Sequence, residues 1–374
     1  SVFGDVSNLP QTLLFWRALT QWIGGLGVVV FFVAILSFLG AGAKILYSNE
    51  SSASSTEIDS GRIQSGVLQI LYLYLGLTGA CTIALMVCGM SGYDAVCHAF
   101  TTISTGGFST RSASVAAFDS ASIEWVLIVF MALGGTSFLV MIRILIRGNI
   151  RALQRSTEVF SYYGLLALSI LLTALAVGAS DVNEGLNHTI RASAFQVVSI
   201  MTTTGYATED YMLWPPVTHV MLMALMVCGG CSGSTAGGAK ILRIVVAAKV
   251  VLRNIERAYR SRVVRPVQIN GKVLDRDDQE TIMNFLVLLA MVALAGTIGI
   301  ALMDQSVSFG STLSAVFACL FNIGPGIEQV GPTENFAFFH DTSKYLLSLL
   351  MIMGRLELYA VLVLFSPSLW KQFS

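Results

Sequence analysis

Val197 to Ala207 reads VVSIMTTTGYA, a short apolar stretch that closes in three threonines and a glycine. It is too short to cross a bilayer core, which takes about 20 apolar residues. Irregular backbone at membrane depth is tolerated only where it lines a cavity or is buried in protein, so the pattern is that of a re-entrant segment. Two other stretches lie over it. Ala99 to Ser109 reads AFTTISTGGFS and Val316 to Gly326 reads VFACLFNIGPG, so that Gly107, Gly205 and Gly324 coincide. Each glycine has a Thr or Asn within the two preceding positions, and the first two are followed by an aromatic.

The surrounding sequence sets these loops in a membrane. Of 374 residues 55% are hydrophobic and 12% charged, with 34 glycines and a mean hydropathy of +0.73. Soluble domains carry roughly a quarter charged residues. Seven apolar runs predict crossings: Leu13 to Leu39, Leu68 to Cys88, Ile123 to Ile146, Tyr162 to Val177, Val217 to Val251 with an interruption, Ile282 to Met303, and Tyr345 to Phe365. Between them Tyr93 to Thr102, His188 to Thr202 and Phe309 to Phe321 are too short to span. The unit crossing helix, short re-entrant helix, glycine loop, crossing helix therefore repeats along the chain.

Seventeen of the 22 lysines and arginines fall in Ala43 to Gln64, Arg143 to Arg155, Lys240 to Arg276 and at Lys371. The positive-inside rule makes these stretches cytoplasmic and opens every glycine loop to the outside. Acidic residues such as Asp119, Glu124, Asp181, Glu209, Asp210 and Glu334 lie near the outer connections, where they either concentrate cations or form a solvated face. The run Arg143, Arg147, Arg151, Arg155 and the basic excess from Lys240 to Arg276 fit topology and anionic lipid contact. Net charge is zero, so no global field points to nucleic acid.

Glycine in the loops allows positive φ and close approach of backbones. Rings of carbonyls replace a cation's hydration shell, and the C-terminal end of each short helix aims its negative dipole inward. Thr105, Gly106, Gly107, Thr203, Thr204, Gly205, Asn322, Ile323 and Gly324 are the candidate lining residues for a dehydrated monovalent cation. Ordinary glycine turns between membrane helices are the competing reading.

The fifth run is interrupted by Gly229, Gly230, Ser232, Gly233, Ser234, Thr235, Gly237 and Gly238, where helical hydrogen bonding is not expected to persist. Lys240 does not follow a glycine directly and no strand precedes it, which argues against a phosphate loop. Arg355 sits at membrane depth with Glu357 nearby, and faces either a water-filled path or a partner carboxylate. The cysteines at 81, 88, 97, 228, 231 and 319 read as small buried hydrophobes, and the C-x-x-C at 228 to 231 lacks a redox or zinc context. His98, His188, His219 and His340 are scattered singly, and no enzymatic constellation is expected.

Taken together these segments resemble the Trk-type potassium uptake proteins of the Trk/Ktr/HKT superfamily. The resemblance rests on FWRALTQWIGGLGVVV from Phe15 to Val30, ISTGGFSTR from Ile103 to Arg111 and TTTGYATEDY from Thr202 to Tyr211. It continues through GGCSGSTAGGAKILRI from Gly229 to Ile244, FNIGPG from Phe321 to Gly326 and GRLELYAVLVLFSP from Gly354 to Pro367. It implies an all-α polytopic membrane protein of M1-pore helix-M2 repeats around one pore. Residues 1–42 would supply the second helix of an incomplete first repeat, 63–147 the second repeat, 157–265 the third with its broken M2, and 279–374 the fourth. By resemblance, potassium passes the glycine-lined filter and no cofactor is needed. The loop from Gly229 to Gly238, with Arg355 pointing into the pore, closes the path below. The resemblance further implies a homodimer in the bacterial inner membrane, in contact with lipid, with a cytoplasmic nucleotide-binding regulatory subunit. An ion-coupled cation symporter or a non-conducting relative is the alternative. Ile327 and Glu328 depart from the small residues of many relatives, so a carboxylate is expected at the outer mouth.

Overall fold

Backbone that leaves water satisfies its own polar groups, and this chain does so almost wholly as helices. The computed structural model describes residues 5–6, 8–39, 63–145, 148, 156–180, 185–260 and 266–365. Among them α1 (Gln11–Leu39) precedes the first complete unit: α2 (Ile63–Val87), the short α3 (Gly92–Ile103), then α4 (Ala121–Gly134) and α5 (Phe138–Leu145). A second unit comprises α6 (Thr157–Gly178), the short α7 (Leu186–Met201), α8 (Pro216–Cys228) and α9 (Ile241–Tyr259). The third comprises α10 (Arg276–Met303), the short α11 (Phe309–Leu320), α12 (Asp341–Arg355) and α13 (Leu358–Leu364). A two-stranded hairpin pairs Gln268 with Val273 ahead of α10.

Local chemistry starts the short helices where they are needed. The Ser91 and Ser308 hydroxyls accept from the N–H groups of Asp94 and Ser311 and so cap α3 and α11. Pro216 occupies the first turn of α8, where its missing N–H costs nothing. Each short helix packs against three partners. It touches the first helix of its own unit (α2, α6, α10), the second helix of its own unit (α4, α8, α12), and the second helix of the preceding unit (α1, α4, α8). That cyclic overlap arranges the units around an axis.

Burial is inverted relative to a soluble domain. Along α10, Val287, Met291, Leu294, Ile298 and Leu302 form an exposed apolar stripe, while Thr101, Thr102, Ser199, Thr202, Ser311 and Ser314 are buried inside. A lipid-facing surface over a polar interior is what a pore-forming bundle requires. Leu68–Val87, Thr157–Gly178 and Arg276–Met303 are each long and apolar enough to cross a membrane, and α1 runs for 29 residues.

Two expected crossings depart from the sequence reading. The runs from Ile123 to Ile146 and from Tyr345 to Phe365 are not continuous helices. They bend by 103° between α4 and α5 and by 118° between α12 and α13. The breaks fall at Gly134-Gly135-Thr136-Ser137 and at Gly354-Arg355-Leu356-Glu357, short local marks that the length of the apolar runs conceals. Only the interruption after Cys228 carries the glycine density that a sequence reading detects. The arginines at 147, 151 and 155, and Lys371, lie outside the described residues; Arg143 ends α5.

The bends need room as well as hydrogen-bond partners. A Cβ on Gly354, at the end of α12, would lie 1.7 Å from the Leu320 carbonyl oxygen, whereas one on Gly79 in α2 would meet nothing within 4 Å. Gly354→Ala is therefore expected to yield little folded protein, and Gly79→Ala to melt at or slightly above the parent temperature. Thermal melts of the detergent-solubilised pair check this, and equal melting temperatures would refute the close approach.

Candidate functional site

The three short helices end alike. In α3 the N–H of Gly106 donates to Thr101 O (2.8 Å) and that of Thr105 to Thr102 O (3.1 Å). In α7 the N–H of Thr204 donates to Ser199 O (2.9 Å) and that of Thr203 to Ile200 O (3.0 Å). In α11 the N–H of Ile323 donates to Ala318 O (2.8 Å) and that of Asn322 to Cys319 O (3.1 Å). These paired six-to-one and five-to-two bonds are Schellman motifs, which place one residue in the left-handed region just past the helix. That position usually belongs to glycine, yet here it is Thr105 (φ 51°), Thr203 (φ 57°) and Asn322 (φ 56°). A β-branched residue there stores roughly 1–3 kcal/mol of strain. Two residues on, φ is positive again at Gly107, Gly205 and Gly324. The structure thus brings all nine predicted lining residues into three equivalent loops, called second (105–107), third (203–205) and fourth (322–324) after the repeat numbers the sequence implies.

The loops interlock around the axis. A Cβ on Gly107 would lie 1.7 Å from Thr204 O, and one on Gly205 would lie 2.1 Å from Ile323 O. Each of these glycines admits the carbonyl of the next loop. Behind them Tyr206, fully buried, donates to His98 O (3.2 Å) and touches the Thr101 hydroxyl, and Tyr211 donates to Gly326 O (2.6 Å). Aromatic hydroxyls from the third loop therefore clamp its neighbours on both sides.

Against the same helix ends lies the segment 229–240, between α8 and α9. The Thr235 hydroxyl is placed to donate to Ile103 O (2.8 Å) and Gly134 O (3.1 Å). The Gly237 N–H donates to the Thr203 hydroxyl at 2.6 Å. Its α-carbon allows no substituent, since a Cβ would lie 2.4 Å from Phe321 O. One loop thus touches the ends of α3, α7 and α11. It also serves the break between α4 and α5, where Cys231 N–H donates to Gly135 O (2.9 Å) and Phe138 N–H donates to Gly233 O (3.0 Å). The remaining freed carbonyl, Ala132 O, accepts from Thr136 (2.8 Å) and from Tyr162 of the following unit (3.2 Å).

Charged groups surround this loop. Arg355 Nη1 donates to Thr235 O at 2.8 Å, and the Lys240 ammonium donates to Ala236 O. The buried Glu158 carboxylate accepts from the Ser232 N–H. Glu357 does not pair with Arg355. It is taken by Arg243, whose Nη2 bonds both carboxylate oxygens (2.9 and 2.8 Å) while its guanidinium lies 4.0 Å from the Phe285 ring centroid. Arg243 was missed by the sequence reading. Its place near the start of α9 looks like any basic residue following a membrane break, and only the fold brings Glu357 to it.

Glu328, exposed in the loop that follows Gly324, has specific partners. Its carboxylate turns back onto the start of α11, accepting from the Ser311 N–H (3.1 Å) and hydroxyl (3.0 Å) and from Ser308. These bonds, the Ser308 contact foremost, hold its carboxyl below the usual glutamate range. The carboxylate thus serves as a partner for the start of α11. Gln21 and Arg17 of α1, also unremarked in the sequence, reach the second loop: Gln21 bonds Gly106 O and the Phe108 N–H, and Arg17 lies over the Phe108 ring. All six cysteines are free, and no cluster of three His, Cys, Asp or Glu suited to a metal occurs among the described residues.

The bond from Gly237 to Thr203 joins loop and helix end directly, so its removal is readable. Thr203→Val keeps the shape and strain but strands a buried N–H, at a cost of roughly 1–3 kcal/mol. Thr203→Ser keeps the acceptor. The valine variant is expected to melt several degrees below the serine variant, and coincident melts would show that the contact contributes nothing.

Comparison with known proteins places this arrangement. The family model described as TrkH, Cation transport protein, matches residues 1–182 and 160–372. The Trk system potassium uptake protein TrkI of Halomonas elongata is 36% identical over 378 residues, covering 100% of this chain and 75% of the relative. The Trk system potassium uptake protein TrkH of Salmonella typhimurium is 32% identical over 368 residues, covering 98% and 75%. The crystal structure of the potassium transporter TrkH from Vibrio parahaemolyticus matches with a TM-score of 0.85 at 31% identity, over 98% of this chain and 74% of that one.

Proposed function

We propose that this chain, which belongs to the TrkH family of cation transport proteins, carries potassium into the cell through the axis between its glycine loops. The observation that carries the proposal is the interlocking of those loops, in which Gly107 and Gly205 each receive a backbone carbonyl of the next loop. Closely set carbonyls at the negative ends of three helices suit a dehydrated monovalent cation. Thr105, Gly106, Gly107, Thr203, Thr204, Gly205, Asn322, Ile323 and Gly324 form the filter. No cofactor takes part, and potassium is the cargo.

The loop containing Gly229, Gly230, Ser232, Gly233, Ser234, Thr235, Gly237 and Gly238 is the gate, with Arg355 as its cationic pin. A guanidinium anchored on Thr235 O opposes a cation descending from the filter. Opening needs the loop to leave the ends of α3, α7 and α11, so the bonds of Thr235 and Gly237 are those that break. Filter loops face outside and the basic stretches face the cytoplasm of a bacterial inner membrane. The protein works as a homodimer in contact with lipid. The basic stretch that includes α9, continuous with the gate through Lys240, receives a cytoplasmic nucleotide-binding regulatory subunit. The designation "Trk system" shared by the relatives supports a multi-component assembly.

Potassium influx into proteoliposomes under an imposed membrane potential tests this reading. Gly205→Val, whose Cβ would be driven into Ile323 O, is expected to abolish flux. Arg355→Ala is expected to raise basal flux severalfold in folded protein. Wild-type flux from Gly205→Val would overturn the filter assignment. An unchanged basal rate in Arg355→Ala would overturn the gate assignment, and dependence on a second ion gradient would favour a coupled symporter.

A further inference from the structure

The second helices of the repeats share a landmark glycine: Gly24 in α1, Gly134 in α4, Gly229 after α8 and Gly354 in α12. Three residues before it stand Gln21, Met131, Met226 and Met351. For the first two positions the equivalence is structural as well. Tyr74 and Tyr162, each from the next unit, donate to Trp22 O (3.0 Å) and Ala132 O (3.2 Å), both two residues before the glycine. Three of the four positions thus carry a thioether with almost no hydrogen-bonding capacity.

Gln21 is the exception, and its amide engages the second filter loop at two atoms. Its Nε2 donates to Gly106 O at 2.8 Å, and the Phe108 N–H donates to its Oε1 at 3.2 Å. The two bonds straddle Gly107 and match the polarity of a primary amide read against a peptide backbone. Access depends on Gly106, where a Cβ would lie 2.3 Å from Gln21 Oε1. Arg17, one turn earlier on the same helix, holds its guanidinium 4.3 Å from the Phe108 ring centroid and secures the far side of the loop.

The consequence is a second loop braced by a side chain, its Gly106 carbonyl tied to the Gln21 amide donor. A carbonyl held by an amide N–H turns less freely and presents less negative potential elsewhere, and filter discrimination depends on the number, field and mobility of such dipoles. We infer that Gln21 is a specificity-determining positioning residue. It sets the geometry of the second filter loop and so the preference among monovalent cations, without touching the ion. The inference rests on the reading of these loops as a filter.

The test uses the full-length gene product in proteoliposomes, with initial potassium and sodium influx measured separately for wild type, Gln21→Met and Gln21→Glu. Gln21→Met copies the other three repeats and removes both bonds. It is expected to conduct with its potassium-to-sodium ratio reduced by about tenfold, the scale of one hydrogen bond. Gln21→Glu is isosteric, loses the donor to Gly106 O, and is expected to shift the ratio in the same direction. Wild-type ratios in either folded variant overturn the inference, and should one variant fail to fold the other decides. Gly205→Val run alongside separates the two levels: retained flux there refutes the filter itself, whereas abolished flux there with unchanged ratios in the Gln21 variants refutes only the role of Gln21.

Discussion

Every unusual feature of this molecule answers one constraint: peptide groups freed from helical bonding inside a membrane need partners supplied by the protein itself. The chain interrupts helices at three loops, whose ends close on their own short helices, and at three bends, where other repeats provide missing donors and acceptors. Thr235, Cys231 and Gly233 serve the break after α4, and Tyr162 reaches back to Ala132 O from the following unit. The same groups that satisfy the backbone therefore tie one repeat to the next. Structural integrity and communication around the axis share a single set of bonds.

Strain is concentrated where the proposed chemistry lies. Thr105 and Thr203 hold a conformation that favours glycine, and Lys240 and Glu357, the residues before α9 and α13, also have positive φ (71° and 64°). Three of the four are compensated by a specific bond. Thr203 accepts from Gly237, Lys240 donates to Ala236 O, and Glu357 receives Arg243. Conformations held by a few such contacts are suited to switching, because loss of one contact releases the strain behind it. The pair Arg243–Glu357 joins the resumed halves of two broken helices, so that α9 and α13 are held together beside the segment 229–240.

The repetition of parts also exposes where the repeats differ. The loops agree in hydrogen bonding and dihedral pattern, yet their outer partners are individual. Tyr206 clamps the third loop against α3, Gln21 and Arg17 hold the second, and Glu328 turns from the fourth onto the start of α11. A bundle assembled from one chain can vary each repeat separately, which a symmetric assembly of identical chains cannot.

Several features were legible in the residues alone. Apolar length and loop glycines mark the membrane helices, the re-entrant segments and the register of Gly107, Gly205 and Gly324, because length, burial and φ leave a local imprint on composition. The glycine density of 229–238 marked one broken helix for the same reason. The bends after Gly134 and Arg355 left a weaker imprint, Gly134-Gly135-Thr136-Ser137 and Gly354-Arg355, because there most freed backbone groups are satisfied by distant residues and fewer glycines are needed. Likewise Arg355 was conspicuous by its charge at membrane depth, but its choice of Thr235 O, and the choice of Arg243 for Glu357, are contacts between residues more than a hundred positions apart. Tertiary structure alone decided them, because hydrogen bonds and ion pairs depend on ångström distances that chain order does not encode locally.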